Sequence, residues 1–123
     1  MEKPHKRLDA WQLGMQLVFE VYRITRDFPA EERYGLVGQM RRAAVSIPSN
    51  IAEGAARNTT REFVNFLHTA PGSLSELDTP FDIGEGLGYV RNDARVLIEP
   101  LMSRIDKTLT GLMKSLRKKS AEW

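Results

Sequence analysis

Apolar residues recur every three to four positions along four stretches of the chain, which is the period of an amphipathic α-helix. Helix-breaking residues separate these stretches at Phe28-Pro29, at Gly54 to Asn58 and at Gly86 to Asn92. The pattern predicts helices over residues 8–27, 31–54, 60–86 and 92–119. Because short connections make successive helices antiparallel, we predict an all-α protein whose single domain, residues 1–123, is an up-down-up-down four-helix bundle.

The first predicted helix carries apolar residues on two faces. One stripe consists of Leu8, Trp11, Met15, Val18 and Tyr22. The other consists of Leu13, Leu17, Val21, Ile24 and Phe28. At about 100° per residue the two stripes lie roughly 140° apart, whereas a helix of an isolated bundle needs only one. We therefore expect the second stripe to contact another copy of the chain in a homo-oligomer. The alternative is a wide core contact covered by a loop or terminus.

Prolines fall inside two of the predicted helices. Pro48 removes one backbone hydrogen bond and clashes with the carbonyl four residues back, so we expect a kink before it in the second helix. Pro71 and Pro80 lie within the third helix, which is therefore expected to be bent or irregular.

Residues at two helix ends have the chemistry of helix caps. Gly54 is predicted to cap the C-terminus of the second helix, because glycine tolerates the left-handed conformation found there. Thr59 and Glu62 have the spacing of a capping box, which predicts the start of the third helix at Thr59 or Thr60.

A row of polar residues follows one side of the second helix, beside its apolar stripe. The row consists of Gln39, Arg42, Ser46, Asn50, Glu53 and Arg57, and Ser73 and Glu76 of the third helix are placed to face it. Two interpretations are open. The arginines would hold phosphates or a partner's carboxylates while the amides and Ser46 supply directional bonds. Otherwise the row is a buried polar network that fixes helix packing, with Arg42 paired to Glu53 or Glu76.

The same row lacks the partner that a serine nucleophile needs. A catalytic serine requires a base within hydrogen-bond reach, commonly histidine or lysine, and this segment contains neither. His5 and His68 are isolated, without a second histidine or any cysteine to complete a metal site. We expect no enzymatic activity, no metal and no cofactor; general acid–base catalysis by Glu53 or Glu76 is the alternative.

Composition limits the class and the compartment. The 123 residues are 41% hydrophobic and 28% charged, which is typical of one folded domain. The chain has no cysteine, so disulfides and thiolate chemistry are excluded. No apolar run approaches the roughly 20 residues that span a bilayer, and no secretory h-region follows the basic N-terminus. We expect a cytoplasmic protein without a membrane partner.

Positive charge is unevenly distributed, although the formal net charge is only +2. The densest cluster lies at the C-terminal end, and shorter ones occur at the N-terminus (Lys3, Lys6 and Arg7) and at Arg57 and Arg61. The candidate phosphate ligands are Arg41, Arg42, Arg57, Arg61, Arg117, Lys118 and Lys119. Self-association would repeat each cluster around the assembly, which favours binding to RNA or DNA. The alternative is a solubilising end whose cations suit a helix C-terminus.

The second helix also carries a family resemblance. The run from Gln39 through Arg42-Ala-Ala-Val-Ser46-Ile, followed by Asn50-Ile-Ala-Glu53-Gly54, resembles the small protein family encoded within intervening sequences of bacterial 23S rRNA genes. Further similar positions, between about residues 8 and 90, are Trp11, Phe28-Pro29, Glu32, Gly35-Leu36, Arg57, Phe63, Phe66-Leu67, Ala70, Gly72-Ser73 and Glu76-Leu77. The resemblance implies a four-helix bundle that assembles as a homopentamer. It also implies a relative, the accessory protein of diversity-generating retroelements, whose basic barrel works with a reverse transcriptase and nucleic acid.

These observations predict a non-enzymatic, oligomeric binding or adaptor protein that contacts RNA or DNA through basic surfaces of the assembly. The alternative is a structural oligomer, or one with a protein partner, that binds no nucleic acid.

Overall fold

The computed structural model describes the backbone of residues 3–121 and the side chains of residues 3–119. The helices are α1 (Asp9–Thr25), α2 (Leu36–Ala55), α3 (Thr60–Leu67), α4 (Thr69–Gly86) and α5 (Asn92–Ala121). Short 3-10 turns, Pro4–Arg7 and Ala30–Glu32, precede α1 and α2. Strands are absent from the part of the chain that is described, so the prediction of an all-α protein is confirmed.

The third predicted helix is divided into α3 and α4 at His68. Pro71 has no N–H to give the carbonyl of Leu67, and its ring clashes with that carbonyl, so α3 ends there. The helix restarts at Thr69, which places Pro71 in the first turn of α4, where proline is tolerated. The prediction of an irregular third helix is therefore confirmed, although α4 continues through Pro80 without a break.

The second helix begins later than predicted and ends differently. Gly35 has a non-helical backbone (φ −101°, ψ −112°), so α2 begins at Leu36 rather than near residue 31. Helix α2 continues through Pro48 and ends at Ala55. Gly54 is therefore inside the helix, and the prediction that it is a C-terminal cap is wrong. The predicted cap of the next helix is confirmed, because Thr59 Oγ1 accepts a hydrogen bond of 3.2 Å from the Glu62 N–H.

The core lies between α2 and α5 and the helices packed around them. Helix α2 contacts α1, α3 and α4, and α5 contacts the same three helices. Each contributes large side chains that are fully buried; they are Leu17, Val21, Met40, Ile47, Ile51, Leu67, Leu77, Phe81, Ile98, Ile105 and Leu109. Burying each such side chain stabilises the fold by about 1.5–3 kcal/mol.

The two stripes of α1 are used the opposite way to our expectation. The stripe assigned to an oligomer contact is covered by its own chain: Leu13, Leu17, Val21 and Phe28 are at most 7% exposed, and Ile24 is half-buried. Their assignment as an interface is wrong. Gly14 lies on the same side of α1 and lets α2 approach closely, since a Cβ there would be 3.3 Å from Ile47 Cγ2.

The other stripe remains partly open to solvent. Four of its members, Leu8, Trp11, Met15 and Val18, are half-buried, and Tyr22 is 41% exposed. Leu8, Trp11 and Val18 pack against the core of their own chain, so Tyr22 is the most exposed member of this stripe.

Among the described residues, every helix is too short or too polar to cross a lipid bilayer.

Candidate nucleic-acid interface

Basic side chains from α3 and α5 meet at one end of the molecule. The residues Arg57, Arg61, His68, Lys114, Arg117, Lys118 and Lys119 form what we call the basic end. Helices α3 and α5 pack together, and Arg117 Nη2 lies 2.8 Å from His68 Nε2. The guanidinium donates this hydrogen bond when the imidazole is neutral and Nε2 carries no proton. This contact joins the C-terminal part of α5 to the C-terminus of α3.

The basic end has few competing negative charges on α5. Residues 107–119 carry five lysines and arginines and no acidic residue. Lys114, Arg117 and Lys118 are separated by three and four positions, so they share one face of that helix. All of them are exposed, as is Arg61, which precedes His68 by about two helical turns on the same side of α3.

Arg57 is held at the edge of the basic end, where α2 connects to α3. Its guanidinium carbon lies 4.6 Å from the centre of the Phe66 ring, and Nη2 lies 3.4 Å from Glu53 Oε2. The side chain remains 45% exposed. These contacts orient Arg57 while leaving part of its charge accessible to a phosphate.

The structure separates the two remaining candidates, Arg41 and Arg42, from the basic end. Both lie in the first half of α2, about 20 Å along the helix from Ala55 at a rise of about 1.5 Å per residue. Arg41 is half-buried against α1: its Nε donates to Thr25 Oγ1 at 3.0 Å, and its guanidinium stacks 4.3 Å from the Tyr22 ring centre. Arg42 is exposed. Arg41 therefore joins two helices instead of contributing to a common footprint with Arg117.

Two residues of the polar row, Ser46 and Asn50, form a network with Ser73 between α2 and α4. Asn50 Nδ2 donates to both the carbonyl oxygen (2.8 Å) and Oγ (3.0 Å) of Ser46. Ser73 Oγ, buried at 4% exposure, donates to the same Ser46 Oγ at 3.0 Å. The hydroxyl of Ser46 thus accepts bonds from two helices, which satisfies buried polar atoms and fixes the position of α4 against α2.

The other members of the row face solvent. Gln39, Arg42, Glu53 and Glu76 are all exposed. Glu53 pairs with Arg57, and neither pairing expected for Arg42 is found among the described ion pairs. The row is therefore split into a small interhelical network and a polar surface.

An ion-pair cluster connects α4 to α5 at the end of the molecule opposite to the basic end. Arg95 Nη2 lies 3.0 Å from Asp82 Oδ1, and Arg95 Nε lies 2.7 Å from Glu99 Oε1. The arginine side chain is 14% exposed, and its Nη1 is buried without a hydrogen-bond partner.

The sequence interpretation missed a shallow groove between α1 and α5 that is lined by both apolar and polar side chains. Its lining residues are Gln16, Phe19, Glu20, Arg23, Leu97 and Leu101, around a volume of about 510 Å³. Phe19 belongs to neither predicted stripe of α1 and is 61% exposed. Leu97 of α5 is 74% exposed, because Ile98 and Met102 are the buried residues at that level. Phe19 was the available signal of this groove, because it is an apolar residue of α1 that lies outside both predicted stripes.

The fold and the cations of the basic end define a small all-α protein with a strongly basic surface on α3 and α5. Residues 6–111 match the 23S rRNA-intervening sequence protein family, and because the match spans most of the chain, the protein belongs to that family. The resemblance inferred from the second helix is therefore confirmed. A comparison with curated proteins finds no match.

Proposed function

We propose that this protein is a non-enzymatic, self-associating binding or adaptor protein that contacts the phosphates of RNA or DNA through its basic end. The observation that carries the proposal is the contact between Arg117 and His68. It brings the cationic face of α5 together with the side of α3 that carries Arg61, so cations distant in sequence share one footprint.

The proposed architecture is an antiparallel up-down-up-down bundle. Two contacts support opposite directions for α1 and α2, since Gly14 lies against Ile47 while Tyr22 lies against Arg41. Two others support the same relation between α3–α4 and α5, because His68 meets Arg117 while Asp82 meets Arg95. In both pairs, moving towards the C-terminus of one element brings contacts with residues closer to the N-terminus of the other, as expected for antiparallel elements.

Self-association as a homopentamer compensates for the small net positive charge of each chain. Neutralising phosphates releases condensed counterions, and the affinity gained rises with the number of phosphates contacted. One chain with a formal net charge of +2 offers only one basic end. Repeating that surface around an assembly multiplies the contacts made to one nucleic acid, because each further contact after the first is intramolecular.

The proposal is tested by titrating labelled single-stranded RNA and duplex DNA with the protein at several salt concentrations. We expect affinity to fall steeply as salt is added. Arg117→Glu should weaken binding about tenfold and lower the slope of log K against log salt by about 1. The matched control is Arg33→Glu, which makes the same charge change at an exposed site before α2.

Two results would contradict the proposal. One is the absence of binding to either nucleic acid at low salt. The other is binding that responds neither to salt nor to Arg117→Glu.

A second candidate function is an oligomer that contacts only protein. It is favoured by the exposure of Phe19 and Leu97 on facing helices, because such apolar surface suits a protein partner better than a phosphate backbone. A particle larger than one chain that binds neither nucleic acid would favour this function. In that case Asn50→Ala should lower thermal stability and abolish no binding.

A further inference from the structure

We propose that chains associate through two different surfaces on either side of α1. The first is the groove between α1 and α5, lined by Gln16, Phe19, Glu20, Arg23, Leu97 and Leu101. The second is an apolar band across α1 and α2, formed by Met15, Val18, Tyr22 and Val45. The band of one copy occupies the groove of the next. This inference rests on the self-association in the proposed function and names the surfaces that carry it.

The groove combines exposed apolar side chains with a concave shape. Phe19 and Leu97, on its two walls, are 61% and 74% exposed, although single exposed apolar residues are common on monomers. Here they face a common volume of about 510 Å³. A neighbouring cavity of about 290 Å³ shares Glu20, Arg23 and Leu97 with it, so the concave surface extends towards the N-terminus of α5. Contiguous apolar surface of this kind marks a protein contact.

Acidic residues predominate along the extended rim of the groove. The cavity next to it is lined by Glu20, Asp27 and Asp93, against two arginines, Arg23 and Arg91. Arg23 Nη1 lies 2.9 Å from Glu20 Oε1, and Arg91 Nε lies 3.6 Å from Asp93 Oδ1, so both cations already have anionic neighbours. Asp27 has no ion pair within the described residues. The uncompensated charge of Asp27 favours a partner that presents positive charge beside apolar side chains.

The band on α1 and α2 has the complementary composition. The contacts of Gly14 with Ile47 and of Tyr22 with Arg41 align the two helices, which places Val45 on the outer side between these contacts. Tyr22 and Val45 are 41% and 39% exposed, and Met15 and Val18 are half-buried.

The charges around the band are positive. Residues 10–26 contain one acidic residue, Glu20, which pairs with Arg23, and residues 36–52 of α2 contain none; α2 contributes Arg41 and Arg42, and the end of α1 contributes Arg26. The cationic band therefore complements the acidic rim of the groove.

Two different surfaces on each chain make the contact heterologous. Each copy offers one groove and one band, so every added copy leaves one free groove and one free band until the chain of contacts closes. A closed ring satisfies all of them. A twofold dimer would instead need the groove and the band on one common face, so that each could meet the other reciprocally, whereas here the two surfaces lie on either side of α1.

Light scattering after gel filtration tests each surface separately. Leu97→Asp adds a negative charge to the groove, and Val45→Glu adds one to the band; we expect both to reduce the native mass to that of a monomer. The matched control for the groove is Val96→Asp, because Val96 is 62% exposed on the same turn and lines neither cavity. The control for the band is Tyr34→Glu, at a residue that is 88% exposed. Both controls should keep the native mass of the unmodified protein.

Mixing the two monomeric variants tests the heterologous contact itself. The Leu97→Asp chain retains an intact band and the Val45→Glu chain retains an intact groove, so one interface forms between them. We expect a one-to-one pair with twice the mass of a single 14.0 kDa chain. Far-ultraviolet circular dichroism checks that each variant is folded, and Phe19→Asp replaces Leu97→Asp if that variant loses its helices.

Three outcomes would overturn the inference, and they differ in what they leave standing. An oligomer whose mass is unchanged by both groove variants, or two monomeric variants that fail to pair, would refute these surfaces and leave the proposed self-association intact. An unmodified protein that is monomeric would refute both the surfaces and the self-association.

Discussion

The buried glycine near the end of α2 provides a sharp test of the fold. A Cβ on Gly54 would lie 2.8 Å from Phe63 Cδ1, 2.9 Å from Phe66 Cβ and 3.1 Å from the carbonyl oxygen of Phe63. The last two atoms belong to the backbone of α3 or are attached directly to it. Relief of the contact therefore requires α3 to move away from α2, which a change of side-chain rotamer does not achieve.

The effect of Gly54→Ala is the difference between two opposing contributions. Alanine in a helix interior is favoured over glycine by about 0.5–1 kcal/mol. Inserting a methyl group into a close-packed contact costs about 1–3 kcal/mol. Because three atoms would be closer than ordinary van der Waals contact, we expect the packing cost to exceed the gain. The free energy of unfolding should fall by about 1–2 kcal/mol, with a Tm lowered by roughly 4 °C for each kcal/mol.

Gly111→Ala is the matched control, because it makes the same substitution inside α5 where a Cβ would meet no atom within 4 Å. It should raise the free energy of unfolding by about 0.5–1 kcal/mol, opposite in sign to Gly54→Ala. Urea denaturation of all three proteins at one protein concentration measures both changes. If Gly54→Ala stabilises the protein as much as Gly111→Ala does, the close approach of α3 to α2 is wrong.

Substitutions at three further positions test individual contacts by denaturant unfolding. Thr25→Val removes the acceptor of the Arg41 Nε–H bond and should lower the free energy of unfolding by about 1–2 kcal/mol; an unchanged value would show that Arg41 is held by stacking alone. Thr59→Ala removes the cap that accepts from the Glu62 N–H and should cost about 1 kcal/mol, whereas Thr59→Ser should restore most of it. Arg95→Met should change stability by less than about 1 kcal/mol, because it leaves only solvated carboxylates and removes a buried unpaired N–H; a loss above about 3 kcal/mol would contradict this.

The helices could be predicted because their signals are local. The apolar period identifies the helices, and Pro29 lies in the break predicted between the first two. The division at His68 follows from the same rule, since Pro71 deprives one carbonyl of its partner. Its position was missed because a proline can either bend a helix or end it, and the packing of the flanking segments decides which occurs.

The face of α1 that turns inward could not be chosen from hydrophobicity, because both stripes are apolar. Packing geometry decides it: small Gly14 lies on the same side of α1 as Leu17 and Val21 and lets α2 come close. A small residue beside one of the two stripes was the informative signal. Gly54 was misread as a helix cap for a related reason. A glycine near a helix end either adopts the left-handed conformation of a cap or makes room for a close neighbour, and the sequence does not distinguish the two.

The candidate site was predictable in composition but not in arrangement. The cations at the end of α5 are evident in the sequence, but their position beside His68 depends on how α3 packs against α5. Ser46, Asn50 and Ser73 were grouped by helical spacing, which fixes the side of a helix. Spacing does not fix the direction of a long side chain, so the pairing of Glu53 with Arg57 instead of Arg42 required the structure.

The native mass of the purified protein, alone and with a mixed pool of RNA and DNA fragments, tests the central claim most directly. Light scattering after gel filtration at low and at moderate salt provides both quantities in one series. We predict a particle several times heavier than a single 14.0 kDa chain, close to five chains, that gains nucleic-acid mass at low salt and releases it at moderate salt. A 14.0 kDa monomer that gains no mass at either salt concentration would contradict the account.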